Sequence, residues 1–230
     1  MGKFSVVRVT VFLILIFYVP KLLAQKEVAW DKTSTNKWNQ AFQLVCIQSI
    51  ADGKIQKAFL YATKSKQKKP LIVSLHTWSG NYMQEDPLAN EILARDWNYI
   101  HPDFRGANKT EESMGSKLVI SDIEDAIQFA LKNTNSDPED VHIVGVSGGG
   151  FATLAAYMNI KYPVKSFSAW APISDLENWY WESVGRKQKY ATDIINALST
   201  DTILNSDEAR RRSPFYQKFP KRMVFAEQLK

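Results

Sequence analysis

VHIVGVSGGGFATLAAYM, residues 141–158, decides how this chain is read. A run of alternating β-branched residues ends at Gly145-Val146-Ser147-Gly148-Gly149, and an alanine-rich helical stretch follows at once. This is the G-x-S-x-G nucleophile elbow, in which a serine sits on a tight strand-to-helix turn with its hydroxyl exposed. Small neighbours are required there because the strained turn crowds its flanks. The helix N-terminus behind the serine offers backbone N–H groups to a developing oxyanion. A phosphate-binding turn would need a Walker lysine or G-x-G-x-x-G, and the stretch has neither.

Working outward, residues 70–78 (PLIVSLHTW) are almost continuously apolar, as a strand covered on both faces must be. The loop that leaves this strand, with His76, Thr77 and Trp78, falls at the same sheet edge as Ser147. It is expected to supply the second oxyanion donor from the backbone N–H of Thr77 or Trp78, beside that of Gly148. His76 reads first as a hydrogen-bonded residue fixing the loop, and secondarily as a residue lining the substrate site.

Further strands are expected at 41–49 and 55–63, joined through Asp52-Gly53 as a hairpin, and at 99–104, 141–146 and 164–170. Cys46 is the single cysteine and alternates as a buried strand residue would. Helices are expected at 87–97, over the stripe Ile120, Ile123, Ile127, Ala130 and Leu131 with Ser121 and Glu124 as a capping box, and at 149–159. Pro138 is expected in a loop. Shorter helices follow near 176–185, 190–198 and 207–212, and residues 223–226 form a weak strand candidate. Strands alternating with helices imply right-handed crossovers and a mostly parallel sheet, an α/β fold with helices on both faces.

The sequence of 230 residues fits one domain after a leader. Residues 1–25 carry Lys3, Arg8 and Lys21, no acid, and the apolar run 9–19, which reads as an export signal too short to span a bilayer comfortably. A periplasmic or secreted location is the expectation, with no stable membrane association once the signal is removed. Residues 26–230 then hold 26 basic against 24 acidic residues, so the nominal charge of +5 gives no reason to expect a nucleic-acid partner. No spacing of histidines and acids suggests a metal, and no motif suggests a cofactor.

The order of PLIVSLHTWSG (70–80), NYIHPDFRG (98–106), SDIEDAIQFAL (121–131) and the elbow resembles the catalytic domain of prolyl-oligopeptidase-like α/β-hydrolases and their exported bacterial esterase relatives. The Asp52-Gly53 hairpin and RSPFY (212–216) extend the likeness over about residues 40–217. The resemblance implies a three-layer α/β-hydrolase fold, Ser147 as nucleophile, and hydrolysis of an ester or peptide bond. His76 stands where such oligopeptidases usually place a tyrosine, which favours an esterase.

In this fold a histidine should follow the serine, yet His76, His101 and His142 all precede it. His142 is five strand residues upstream, about 16 Å at roughly 3.3 Å per residue. The downstream acids Asp175, Asp193, Asp201 and Asp207 have no histidine to work through. Triad order and an uncovered edge strand at 164–170 together imply a C-terminally incomplete hydrolase lacking terminal strands and inactive by itself. Trp170, Trp179 and Trp181 could line a cleft for a sugar ester, an oligosaccharide or a short peptide. A serine-type peptidase and a non-catalytic carbohydrate-binding shell are the alternatives.

Overall fold

The computed structural model describes residues 38–219. The expected export signal and the strand candidate at 223–226 lie outside those residues. In chain order the elements are β1 (Gln43–Gln48), β2 (Ile55–Tyr61), β3 (Lys69–Leu75), α1 (Pro87–Ala94), β4 (Asn98–Pro102), α2 (Lys117–Asn133), β5 (Ser136–Val146), α3 (Gly148–Asn159), β6 (Ser166–Trp170), α4 (Leu176–Gly185), α5 (Tyr190–Leu198), α6 (Ser206–Arg212) and a 3₁₀ turn (Pro214–Tyr216).

The six strands form one sheet in the order β1-β2-β4-β3-β5-β6. β1 and β2 are an antiparallel hairpin, β2 meets β4 antiparallel, and β4, β3, β5 and β6 run parallel. Gly53 takes φ 76° in the hairpin turn, a conformation that a side chain would strain. β3 and β5 are central, which explains why 70–75 and 141–146 read as apolar runs. At the far end β6 pairs only with β5 among the described residues.

The strand residues divide the core by parity. Leu71, Val73, Ile100, Val141 and Ile143 face α2 and α3, where Ile123 and Ile127 are fully buried. Ile72, Tyr99, Phe59 and Tyr61 face the other way, against α1. A third cluster joins Trp78, Phe151, Leu176 and Ile194 at the C-terminal ends of the strands.

Three local expectations need correction. The helix on the Ile120–Ile127 stripe begins earlier, because Ser116 rather than Ser121 is the N-cap, its Oγ accepting from the N–H groups of Leu118 and Val119. Both serines have local capping chemistry, and the apolar Val119 and Ile120 carry the helix back past Ser121. Pro138 lies inside the long β5, in the stretch that precedes its close pairing with β3 at Leu71↔Val141. Cys46 is exposed: it shares its face of the hairpin with Leu44 and Gln48, whereas Val45 and Ile47 face the core.

Beneath the sheet edge His101 is only 1% exposed, between Tyr99 and Trp38, and neither ring nitrogen has a hydrogen-bond partner among the described residues. Burial drives its pKa from 6.5 down to about 4. The folded protein therefore holds His101 neutral while the unfolded chain protonates below about pH 6.5. Stability should be complete above pH 6.5, fall between pH 6.5 and 4, and level off below. His101→Phe, placing a ring of similar size among aromatics, is expected to remove on the order of 2 kcal/mol of that loss. Urea midpoints at pH 7 and pH 4.5 check this, and an unchanged pH dependence in the variant contradicts it.

Candidate active site

Ser147 terminates β5 and precedes α3, with φ 55° and ψ −116°. That backbone is outside the regions open to most L-residues and costs about 1–3 kcal/mol, so its surroundings must hold it. They do so on both sides. The Ser147 N–H donates to Trp170 O at 2.9 Å, prolonging the β5–β6 ladder, and the Phe151 N–H donates to Ser147 O at 2.9 Å, opening the helix. The elbow expected from G-x-S-x-G is present in the backbone.

The glycines have separate reasons. A Cβ on Gly145 would overlap the carbonyl of Gly149, and one on Gly149 would overlap the carbonyl of Leu75. A Cβ on Gly148 would overlap the backbone nitrogen and Cα of Trp78. The β3 loop thus packs directly on the first turn of α3. This sets the Trp78 backbone nitrogen against Gly148, the residue that follows the serine.

Thr77 is not available for the same task. Its N–H donates to Gln84 Oε1 at 2.8 Å and its hydroxyl to the same oxygen at 3.0 Å. Of the two donors expected, the structure leaves Trp78. The Trp78 carbonyl accepts from Asn108 N at 2.8 Å, and its indole N–H donates to Asp193 at 3.0 Å, so the residue is fixed by both neighbouring layers. Gln84 and Asn108 had no signal in the sequence, since polar residues that brace a loop from 7 and 30 positions away carry no local pattern.

His76 is fully buried and does not line the substrate site, which corrects that assignment. Its ring stacks on Phe104 at 3.9 Å, with Nδ1 2.9 Å from Thr77 O and Nε2 2.7 Å from Asp103 O. Burial lowers its pKa. It does what its first reading implied, tying the β3 loop to the loop after β4. That second loop is itself strained, with Phe104, Arg105 and Gly106 at φ 32°, 77° and 67°. The buried Arg105 guanidinium fastens it to Asp52, Asp122 and Ser49.

A cleft of about 440 Å³ opens on Ser147, bounded by Pro172, Ile173, Asp175, Trp179, Glu182 and Phe215 among others. Trp179 borders this cleft. Trp170 and Trp181 are not. The Trp170 side chain, 64% exposed, projects from the opposite face of the sheet, where it lines a separate apolar cavity with Ser74, Leu88, Val144 and His101. Trp181, 59% exposed, borders neither cavity and packs edge-on against Tyr180. Period alone could not tell these tryptophans apart, because Trp170 ends a strand and the other two lie on different faces of α4.

Three of the four downstream acids have structural employment. Asp175 caps α4, accepting from Glu177 N, Asn178 N and Nδ2, and Tyr216 OH. Asp193 holds Trp78, and Asp201 accepts from Ile203 N. His142, far down β5, lies 3.0 Å from Asp140 and 2.7 Å from Ser166 Oγ. Among the described residues no histidine borders the cleft with Ser147.

Known proteins share this overall architecture. Similar solved structures include an acylaminoacyl peptidase in complex with Z-Gly-Gly-Phe-chloromethyl ketone, with a TM-score of 0.64 at 20% identity over 78% of this chain and 30% of that one. The uncomplexed acylaminoacyl peptidase of Pyrococcus horikoshii has a TM-score of 0.64 at 19% identity over 80% and 32%. Prolyl oligopeptidase B of Galerina marginata gives 0.59 at 18% identity over 79% and 28%. The chain thus spans about a third or less of the length of these peptidases. Among curated proteins, the uncharacterized protein YfhR of Salmonella typhi is 27% identical over 85 residues, 37% of this chain and 29% of that protein. The fold shared with those structures is the α/β-hydrolase fold. The model of the prolyl oligopeptidase family matches residues 90–218, more than half of the sequence, and the chain belongs to that family.

Proposed function

We propose that Ser147 is the nucleophile of a serine hydrolase of prolyl-oligopeptidase type, forming an acyl-enzyme from a peptide or ester substrate seated in the adjoining cleft. The observation that carries this reading is the strained φ of Ser147 at a strand-to-helix turn, with the N–H groups of Trp78 and Gly148 packed beside it. In the reaction the serine oxygen would attack the carbonyl carbon, and the developing oxyanion would accept from those two N–H groups. The serine proton is taken up by a base, for this chain one from solution, and passes to the amine or alcohol as its bond to the acyl carbon breaks; water, deprotonated the same way, then hydrolyses the ester that remains and restores the Ser147 hydroxyl.

A peptide bond is the first choice of substrate, since the structural neighbours are peptidases by their descriptions. The esterase preference rested on His76 standing where such oligopeptidases place a tyrosine, and the buried ring offers no hydroxyl in its stead, so an ester keeps that one argument. Sugar esters keep the support of Trp179 alone among the three tryptophans considered. A carbohydrate-binding shell without catalysis gains no specific support, because it would not require the strained serine.

Proton transfer sets the limit on this chain. With no histidine beside Ser147 among the described residues, phosphonylation by a fluorophosphonate is expected to be slow. Imidazole in solution should then accelerate it on the order of tenfold, a fraction of the ~10²–10⁴-fold a positioned base contributes. Intact-mass analysis with peptide mapping reads the result, and Ser147→Ala should take no label at any imidazole concentration. Equal labelling of that variant, or label mapped elsewhere, would overturn the assignment.

A further inference from the structure

We propose that the cleft beside Ser147 selects a basic side chain, lysyl or arginyl, for the substrate group seated in it. This rests on the reading of Ser147 as the nucleophile for its catalytic meaning, though not for its binding chemistry. The cleft, at about 440 Å³, falls within the ~300–1,000 Å³ usual for ligand sites. Its apolar wall is Pro172, Ile173, Trp179 and Phe215, and among the described residues its only charged lining is Asp175 and Glu182. A long aliphatic stem ending in a cation matches both parts: methylenes lie along the apolar wall while the head reaches the carboxylates. The aromatic rings can add a cation–π contribution.

The two carboxylates differ in exposure: Asp175 is buried and can act on a cation only through its charge, while Glu182 is exposed. Asp175 accepts four hydrogen bonds, and every donor is neutral: the Glu177 and Asn178 N–H groups, the Asn178 amide and the Tyr216 hydroxyl. Among the described residues no salt bridge joins it. Glu182, which lines the cleft, pairs with Arg186 at 2.6 Å in an exposed i,i+4 contact along α4, of the weak kind that a competing cation can displace. Arg210, the other base in the neighbourhood, is engaged by Glu177 at 2.5 Å and does not line the cleft. An anionic group placed here would meet two carboxylates and no free base.

The test is isothermal titration of the whole chain with N-benzoyl-arginine amide, N-benzoyl-norleucine amide and N-benzoyl-glutamate amide at low ionic strength. The arginine compound is expected to bind about tenfold tighter than the norleucine one, with the glutamate compound weakest. Added salt should shrink the difference. The double variant Asp175→Asn, Glu182→Gln should bring the arginine and norleucine compounds to equal affinity, while Asp137→Asn, on β5 and away from the cleft, should change nothing. Asparagine caps helices as well as aspartate does, so α4 should survive the change. Equal binding by the unaltered protein, tighter glutamate binding, or binding by none of the three overturns the proposal. Turnover is not needed for any of these readouts, so they fail or succeed independently of Ser147 labelling.

Discussion

Arg105→Met is expected to cost about 3–5 kcal/mol, the range for breaking a buried ion pair and leaving its partner charged. Out of a total of roughly 5–15 kcal/mol, that is enough to unfold a marginal chain at moderate temperature. The Arg105 side chain is only 2% exposed and Asp122, which it meets through Nε at 2.6 Å, only 1%. Its Nη1 and Nη2 also hold Asp52 at 2.7 and 3.0 Å, and Nη2 reaches Ser49 Oγ at 3.0 Å. One guanidinium thereby joins the β1–β2 turn, the loop after β4 and the first half of α2. Methionine fills similar volume but leaves Asp122 buried without a cation. Urea midpoints should therefore fall sharply in the single variant and recover in part in Arg105→Met, Asp122→Leu, where neither charge remains. No recovery would mean that packing, and not charge, dominates at this position.

The same network gives the acid side of the pH profile its direction. The Arg105 hydrogen bonds hold Asp52 down from 3.8 to about 2. Its contribution is present above about pH 4 and disappears as pH falls through 2, below the window in which His101 acts. Glu112, whose carboxylate meets Lys54 and Arg105, is lowered in the same sense.

Gly148→Ala should have the largest effect on the site itself. The added methyl would overlap the backbone of Trp78 and not a flexible side chain, so the β3 loop or the elbow must move. Overpacking of this sort costs about 1–3 kcal/mol and sometimes more. The displaced N–H of Trp78 would in addition remove one oxyanion donor, a loss of about 10²–10³-fold in rate where such donors have been deleted. Imidazole-dependent labelling of Ser147 should fall accordingly. Gly185→Ala is the control. Nothing lies within 4 Å of a Cβ there, and alanine in a helix is favoured over glycine by about 0.5–1 kcal/mol. Normal labelling in Gly148→Ala would show that Trp78 does not serve the oxyanion.

What could be read in the chain beforehand was whatever depends on near neighbours. The hairpin at Asp52-Gly53 follows from a residue that must take positive φ, and the elbow follows from three crowding constraints within five positions. Burial on both faces marks β3 and β5 by composition alone. Faces and partners were another matter. Cys46 and Val45 are adjacent in β1, and only the docking of the hairpin over α2 decides which of them is covered. Ser116 and Ser121 have equal capping chemistry, and the choice between them depends on where Val119 and Ile120 find a core.

The sequence by itself therefore determined the order of strands and helices, the strained serine between them, and the glycines that let two loops approach. Periodicity and local sterics act over a few residues, and these features are local. The tertiary structure alone decided that Thr77 gives its N–H to Gln84 while Trp78 lies against Gly148, that His76 turns inward to the Asp103 carbonyl, and that one tryptophan of three borders the cleft. Each of those outcomes is settled by a partner outside the local repeat, seven positions away for Thr77 and 27 for His76, or by the face on which a layer packs. The pairing of Arg105 with Asp52 and Asp122 belongs to the same class: charges brought together only when the sheet, its hairpin and α2 close around them.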